Sequence, residues 1–185
     1  MSMTQASQAD VERLLATVDL SSLNSNYRIL VKQAANFAAA ETNLTSLLSN
    51  IAALIYSSLK DLNWAGFYLT HVPENTLYLG PFQGKTACNR IAWGKGVCGT
   101  AAATQTTQRI ANVHEFPGHI ACDSASNSEL VIPMLVEQQV IGVLDLDSPL
   151  FERFSAEDQV GLEALITVLS ARLATLDPVQ FAAYR

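Results

Sequence analysis

The period of the apolar residues changes along the chain, and this change restricts the fold more than any other feature. Leu44, Leu47, Leu48, Ile51, Leu54, Ile55 and Leu59 recur at the spacing of an amphipathic helix, as do Leu162, Leu165, Ile166, Leu169, Leu173 and Leu176. Between these two segments the period drops to two. Residues 64–70 and 76–82 read as strands joined by a Pro73-Glu74-Asn75 turn. A second hairpin runs over residues 129–136, turns through 137–139 and returns over 140–145. Ser155, three residues before Asp158, predicts the cap of the last helix, and Pro178 its end. Helices flanking antiparallel hairpins bury their apolar stripes on a sheet, so the expected class is an α+β sandwich.

The composition suits one such unit. A chain of 185 residues with 49% hydrophobic and 15% charged side chains has ample material for a core and too little charge for disorder. Eleven Lys+Arg against 17 Asp+Glu leave a net charge of -6, so no nucleic-acid partner and no anionic membrane surface is expected. The most apolar tract, residues 130–146, is interrupted by Glu137, Gln138 and Gln139, which argues against a membrane span. The first ten residues lack the basic and apolar regions of a secretory leader. Three cysteines cannot all pair within one chain, so reduced thiols in the cytoplasm are the expectation.

All three cysteines fall in residues 84–127, a stretch with little regular pattern, and long irregular segments of compact domains tend to carry function. Gly94-Lys95-Gly96-Val97-Cys98-Gly99 matches the dinucleotide-binding fingerprint letter for letter. It lacks the surrounding βαβ unit, and reads better as a glycine turn into a short alanine-rich helix over residues 99–103. Cys98 then lies near that helix's N-terminus, where free amides favour a thiolate; a small buried cysteine packing the turn is the equal alternative. Cys122 stands in a polar loop near His119, the setting of a reactive thiol. Cys88 has Lys85 and Arg90 close in sequence to favour its anion. These spacings leave open whether the sulfurs meet. Three cysteines and two nearby histidines are enough ligands for a metal, but no Cys-x2-Cys or His-x3-His pair occurs, so no metal site is expected.

Asp145 and Asp147 flank Leu146 and so share one face of a strand, where their repulsion favours keeping a proton on one of them. Glu129 opens the partner strand and can join them; the bland alternative is a solvated strand end. Trp64 and Tyr68 share a face opposite Phe67. Core packing is the ordinary role of such aromatics, and a wall for a cationic or thioether ligand is the functional one.

Taken together, Gly80-Pro81-Phe82-Gln83-Gly84-Lys85-Thr86-Ala87-Cys88, the Gly94–Gly99 motif, Phe116-Pro117-Gly118-His119-Ile120-Ala121-Cys122-Asp123, Ser128-Glu129 and Asp145-Leu146-Asp147-Ser148-Pro149 closely resemble the free methionine-R-sulfoxide reductases. These are GAF-domain enzymes acting on the R epimer of free methionine sulfoxide. The likeness runs from about residue 23 to about residue 173. It implies a GAF-like domain over residues 23–176, with a six-stranded antiparallel sheet flanked by helices and a small closed cavity. Residues 1–22 are then a partly helical extension and 177–185 a tail. The resemblance assigns Cys122 as the attacking thiol, left as a sulfenic acid, and Cys88 as its resolving partner. Cys98 is left as an alternative resolving or attacking thiol. Glu129, Asp145 and Asp147 match acids that hold the substrate's ammonium and its sulfoxide oxygen, and Trp64 and Tyr68 match aromatics around its methyl group. Thioredoxin is the implied external reductant, no bound cofactor is implied, and an isologous homodimer is the default assembly. Asn112, before Val113-His114, departs from an expected acid and leaves open how that loop is held; Leu146 replaces a more typical isoleucine. Two other functions share these features. One is a GAF sensory module binding a cyclic nucleotide or similar small ligand, disfavoured by the expectation that this length leaves no room for an output domain. The other is a general thiol peroxidase.

Overall fold

The computed structural model describes residues 7–120 and 122–181. The described residues form five α-helices and six strands: α1 Gln8–Leu15, α2 Ser25–Ala40, α3 Leu44–Ser58, β1 Trp64–His71, β2 Thr76–Gly84, β3 Arg90–Ala92, α4 Gly96–Thr104, β4 Gln108–Ile110, β5 Ser128–Val136, β6 Gln139–Ser148 and α5 Ala156–Leu173. The strands make one antiparallel sheet in the order β3-β2-β1-β6-β5-β4. Both expected hairpins are present. Their turns use residues in the left-handed region, Asn75 in the first and Glu137 with Gln138 in the second. Two consecutive left-handed residues match the right-handed twist of the flanking strands.

Strand alternation gives the sheet two different faces. On one, Ala65, Phe67, Leu69, Leu130, Ile132, Leu144 and Leu146 are buried with residues of α1, α2, α3 and α5 in the main core. Each large side chain fully buried there contributes about 1.5–3 kcal/mol over its exposed state. The capping box of Ser155 and Asp158 starts α5 as expected, and the Tyr27 hydroxyl donates to the same Asp158, tying α2 to that end of α5. The periodicity reading omits α2. Its inward face is Tyr27, Leu30, Val31, Ala34, Ala35 and Ala38, and the three alanines dilute the apolar stripe.

The other face carries α4 and the loops. Trp64, Tyr68, Leu77, Ile91, Val97, Cys98, Ala101, Val131 and Val143 form a second, smaller core there. The stretch expected to be irregular therefore holds two short strands and a nine-residue helix, α4, three residues longer at its start than expected. Its fingerprint glycines have structural reasons. Gly96 has φ +60°, and a Cβ on Gly99 would lie 2.3 Å from the Ala92 carbonyl oxygen, so α4 meets β3 backbone to backbone. Asn112 caps a short 3-10 turn, Val113–Glu115, accepting from the His114 amide and donating to Glu115; this is how its loop is held. Of the N-terminal extension, α1 packs Val11 and Leu14 into the main core; residues 1–6 lie outside the described part. Of the tail, Gln180 accepts from the Leu44 amide and donates to the Thr42 carbonyl, and residues 182–185 lie outside the described part.

Candidate active site

Three neighbouring strands bring the acids together. Trp64 on β1 pairs with Asp147 on β6, and Asp147 pairs with Glu129 on β5, so the three lie in one row across the sheet. Asp145, two residues back on β6, points to the same face and lies between Gly66 and Val131. Leu146 points the other way, into the main core. Glu129 and Asp145 are each only 6% exposed, so the solvated-strand-end alternative does not hold.

Burial this deep disfavours the charged forms. Glu129 is held well above the ordinary carboxylate range by burial and by the charges of Asp145 and Asp147. Asp145 is raised by burial and by Asp147. Asp147 is pushed up to about 7, again mainly by burial, against a hydrogen bond from Ser126 that lowers it. The cluster thus retains protons at neutral pH and can donate one. Asp145 Oδ1 has no hydrogen-bond partner.

The cysteines divide into a pair and a single thiol. Cys88 and Cys122 are joined by a disulfide, their Cα atoms 5.3 Å apart. Cys98 is free and lies in the first turn of α4, with Sγ 3.9 Å from Glu129 Oε1. Its position near a helix N-terminus is as expected, but the thiolate is not. Burial, then the charges of Asp145 and Glu129, push its thiol well above the usual value, which outweighs the helix dipole. Lys85 and Arg90 are turned to other partners: Lys85 Nζ lies 3.7 Å from Asp123 Oδ2, and the Arg90 guanidinium stacks 4.7 Å from the Tyr78 ring centroid.

Between the disulfide and the acids is a cavity of about 30 Å³, lined by Cys98, His119, Cys122, Asp123, Ser126, Glu129, Asp145 and Asp147 among others. Trp64 and Tyr68 lie outside this lining, beneath the Cys88 loop. The Trp64 indole Nε1 donates to the Lys85 carbonyl at 3.1 Å, and the Tyr68 hydroxyl donates to the Cys88 carbonyl at 3.0 Å. Trp64 stacks on Tyr68 and on Phe82, with centroids 5.8 and 5.3 Å away.

Sequence reasoning missed the polar frame around this site. His119 Nε2 sits 3.8 Å from Glu129 Oε2. Burial and then His114 lower its pKa, so at neutral pH this is a contact of a neutral ring and not an ion pair. Asn63 Nδ2 donates to both Asp123 Oδ2 and Ser126 Oγ at 3.0 Å, joining the start of β1 to the Cys122 loop. His119 was visible only as a neighbour of Cys122. Asn63 and Ser126 carry no sequence signal, because their roles depend on loops meeting.

A GAF-like sandwich with a disulfide closed over buried acids defines a class, the GAF-domain proteins equipped for thiol chemistry. The model of the GAF domain family matches residues 43–175. Over 143 residues the chain is 56% identical to the free methionine-R-sulfoxide reductase of Escherichia coli (strain K12), covering 77% of this chain and 86% of that one. The fRMsr of Staphylococcus aureus, solved in reduced form, superposes with a TM-score of 0.78 at 47% identity, covering 82% of this chain and 97% of that one. The free methionine-R-sulfoxide reductase of Neisseria meningitidis, solved with its substrate, superposes with a TM-score of 0.77 at 38% identity, covering 84% and 93%. The chain belongs to the free methionine-R-sulfoxide reductase family of GAF-domain proteins.

Proposed function

We propose that this chain reduces free L-methionine (R)-S-oxide to L-methionine through a thiol–disulfide cycle in which Cys122 attacks and Cys88 resolves. The observation that carries this reading is the Cys88–Cys122 disulfide set at the wall of a cavity of buried, proton-holding acids. A sulfoxide oxygen leaves poorly until it is protonated, so the chemistry needs a thiol beside the sulfur and an acid beside the oxygen. In the reduced chain, Cys122 attacks the sulfoxide sulfur while the Glu129–Asp145–Asp147 group protonates the oxygen. The oxygen passes from the substrate sulfur to the Cys122 sulfur as the S–O bond and the transient S–S bond break, so the substrate sulfur gains two electrons, Cys122 is oxidised to a sulfenic acid and methionine leaves. The Cys88 thiol condenses with it, releasing water and forming the disulfide. A thioredoxin dithiol then takes over the disulfide by exchange and restores both thiols. This scheme uses no bound cofactor.

The small cavity fits this cycle. A volume of about 30 Å³ holds about one water and excludes an amino acid, so the disulfide form is the product state. Reduction removes the covalent link between the Cys88 and Cys122 loops, and the substrate's thioether end is assigned to Trp64 and Tyr68 beneath the Cys88 loop. The acids select a free ammonium, which a mid-chain methionine lacks. A disulfide that must be reduced in every cycle suits the reducing cytoplasm, and among the described residues no helix is long and apolar enough to cross a membrane.

The test is NADPH oxidation coupled through thioredoxin reductase and thioredoxin. The expected outcome is turnover with free methionine-R-sulfoxide, none with the S epimer or with a mid-chain sulfoxide, and loss of activity in Cys122→Ser. Turnover surviving that substitution would transfer the attack to Cys98. Saturable cyclic-nucleotide binding without turnover would replace the reductase with the sensor.

A further inference from the structure

Three potential ligands converge on the cavity from three separate segments, and His119 stands beside one of them. Ligand atoms of Cys98, Glu129 and Asp145 all lie within 4.8 Å of one another, and all three residues are buried. Cys98 Sγ is 3.9 Å from one Glu129 oxygen, and His119 Nε2 is 3.8 Å from the other. Asp145 is 6% exposed, lines the cavity and leaves its Oδ1 without a hydrogen-bond partner. The space they enclose, about 30 Å³, is that of one water or one small cation. Tetrahedral zinc, with sulfur at about 2.3 Å and oxygen or nitrogen at about 2.0–2.1 Å, sets its ligand atoms roughly 3.3–3.6 Å apart. For Cys98, Glu129 and Asp145, side-chain movements of about 1 Å or less bridge that difference.

We propose that Cys98, Glu129 and Asp145 form a site for a single zinc-class divalent cation in the disulfide form of the protein, with the fourth position left to water. The donor chemistry favours this class: a buried thiolate selects zinc-like cations over magnesium or calcium, which prefer oxygen alone. Binding replaces the protons of the thiol and of the carboxyl groups, so the cation relieves the crowding of buried acids and satisfies Asp145 Oδ1. Short Cys-x2-Cys spacing is absent because the ligands come from α4, β5 and β6. The site does not depend on the reductase reading. If that reading holds, the cation occupies ground the substrate needs and inhibits turnover.

Cobalt(II) is the direct probe. Of the three cysteines, two are in the disulfide, so any thiolate-to-metal charge-transfer band of the oxidised full-length chain reports Cys98. One equivalent of cobalt should produce that band together with the intense visible bands of tetrahedral coordination, and zinc should displace both. Cys98→Ser should abolish the charge-transfer band. Asp145→Asn should keep the band but weaken binding by more than about tenfold. Absence of the band, or a band and affinity indifferent to Asp145→Asn, would overturn the site; the aspartate variant alone decides if Cys98→Ser does not fold. Since no substrate is used, this result stands apart from failure of the reductase assay.

Discussion

The two faces of the sheet are made by the same strands and have opposite chemistry. On β1, Phe67 points into the helix-covered core while its neighbour Tyr68 points under the Cys88 loop. On β6, Leu146 is fully buried among leucines while Asp145 and Asp147, on either side of it, line a cavity. One face is ordinary apolar packing. The other keeps three carboxyl groups, a free thiol and a disulfide in a setting that disfavours charge. Alternation lets a single strand serve stability and chemistry at adjacent positions, because each side chain answers to a different environment. Substitutions on one face should therefore move stability, and those on the other should move turnover.

Phe67→Ala tests the apolar face most severely. The fully buried ring should cost about 3–5 kcal/mol on removal, read by urea unfolding, with kcat per folded molecule little changed. Asp147→Asn should do the reverse: turnover falls by about 100-fold or more as a proton donor is lost, while stability near pH 4, where Asp147 is protonated, is retained. A variant at either position that moves both quantities alike would break the division of labour between the faces.

The pH dependence of stability sharpens the same contrast. Asp147, with a folded pKa of about 7 against an ordinary 3.8, keeps its proton in the folded chain after the unfolded chain has lost it. Stability should be greatest near pH 4 and decline as the pH rises towards 7, Glu129 and Asp145 adding to the decline. Asp147→Asn should flatten this profile in thermal melts recorded from pH 4 to 8. The proton-donating limb of kcat/KM should fall over the upper part of the same range. A smaller effect is expected of Tyr68→Phe, which removes the hydrogen bond to the Cys88 carbonyl. It should cost about 1 kcal/mol and slow disulfide formation, with stability of the helix face untouched. Lys85→Ala should do least. Its pairing with Asp123 joins the two cysteine loops, but Lys85 is 69% exposed, and less than about 0.5 kcal/mol is expected.

Most of the frame was legible because it rests on local periodicity. Both hairpins, α3, α5 and its capping box follow from residues that report their own environment. Helix α2 was not, since its alanines pack well without producing a strong apolar stripe. In the site, the shared face of Asp145 and Asp147 and the approach of Glu129 follow from strand period and hairpin register. The state of Cys98 does not. Helix position alone suggests a thiolate, and only the buried acids opposite it reverse the preference. The pairing of Cys88 with Cys122 came only from family resemblance, because a link across 34 residues depends on how two loops are folded back. His119, Asn63 and Ser126 entered the site by the same route and left no trace in spacing.

The most direct measurement follows the sulfur atoms through one turnover. The fully reduced chain is treated with one equivalent of free methionine-R-sulfoxide, quenched with acid and alkylating agent, and mapped by peptide mass. The account predicts a Cys88–Cys122 disulfide with Cys98 recovered as an alkylated thiol. Cys98 found in the new disulfide, with Cys88 or Cys122 left free, would contradict it.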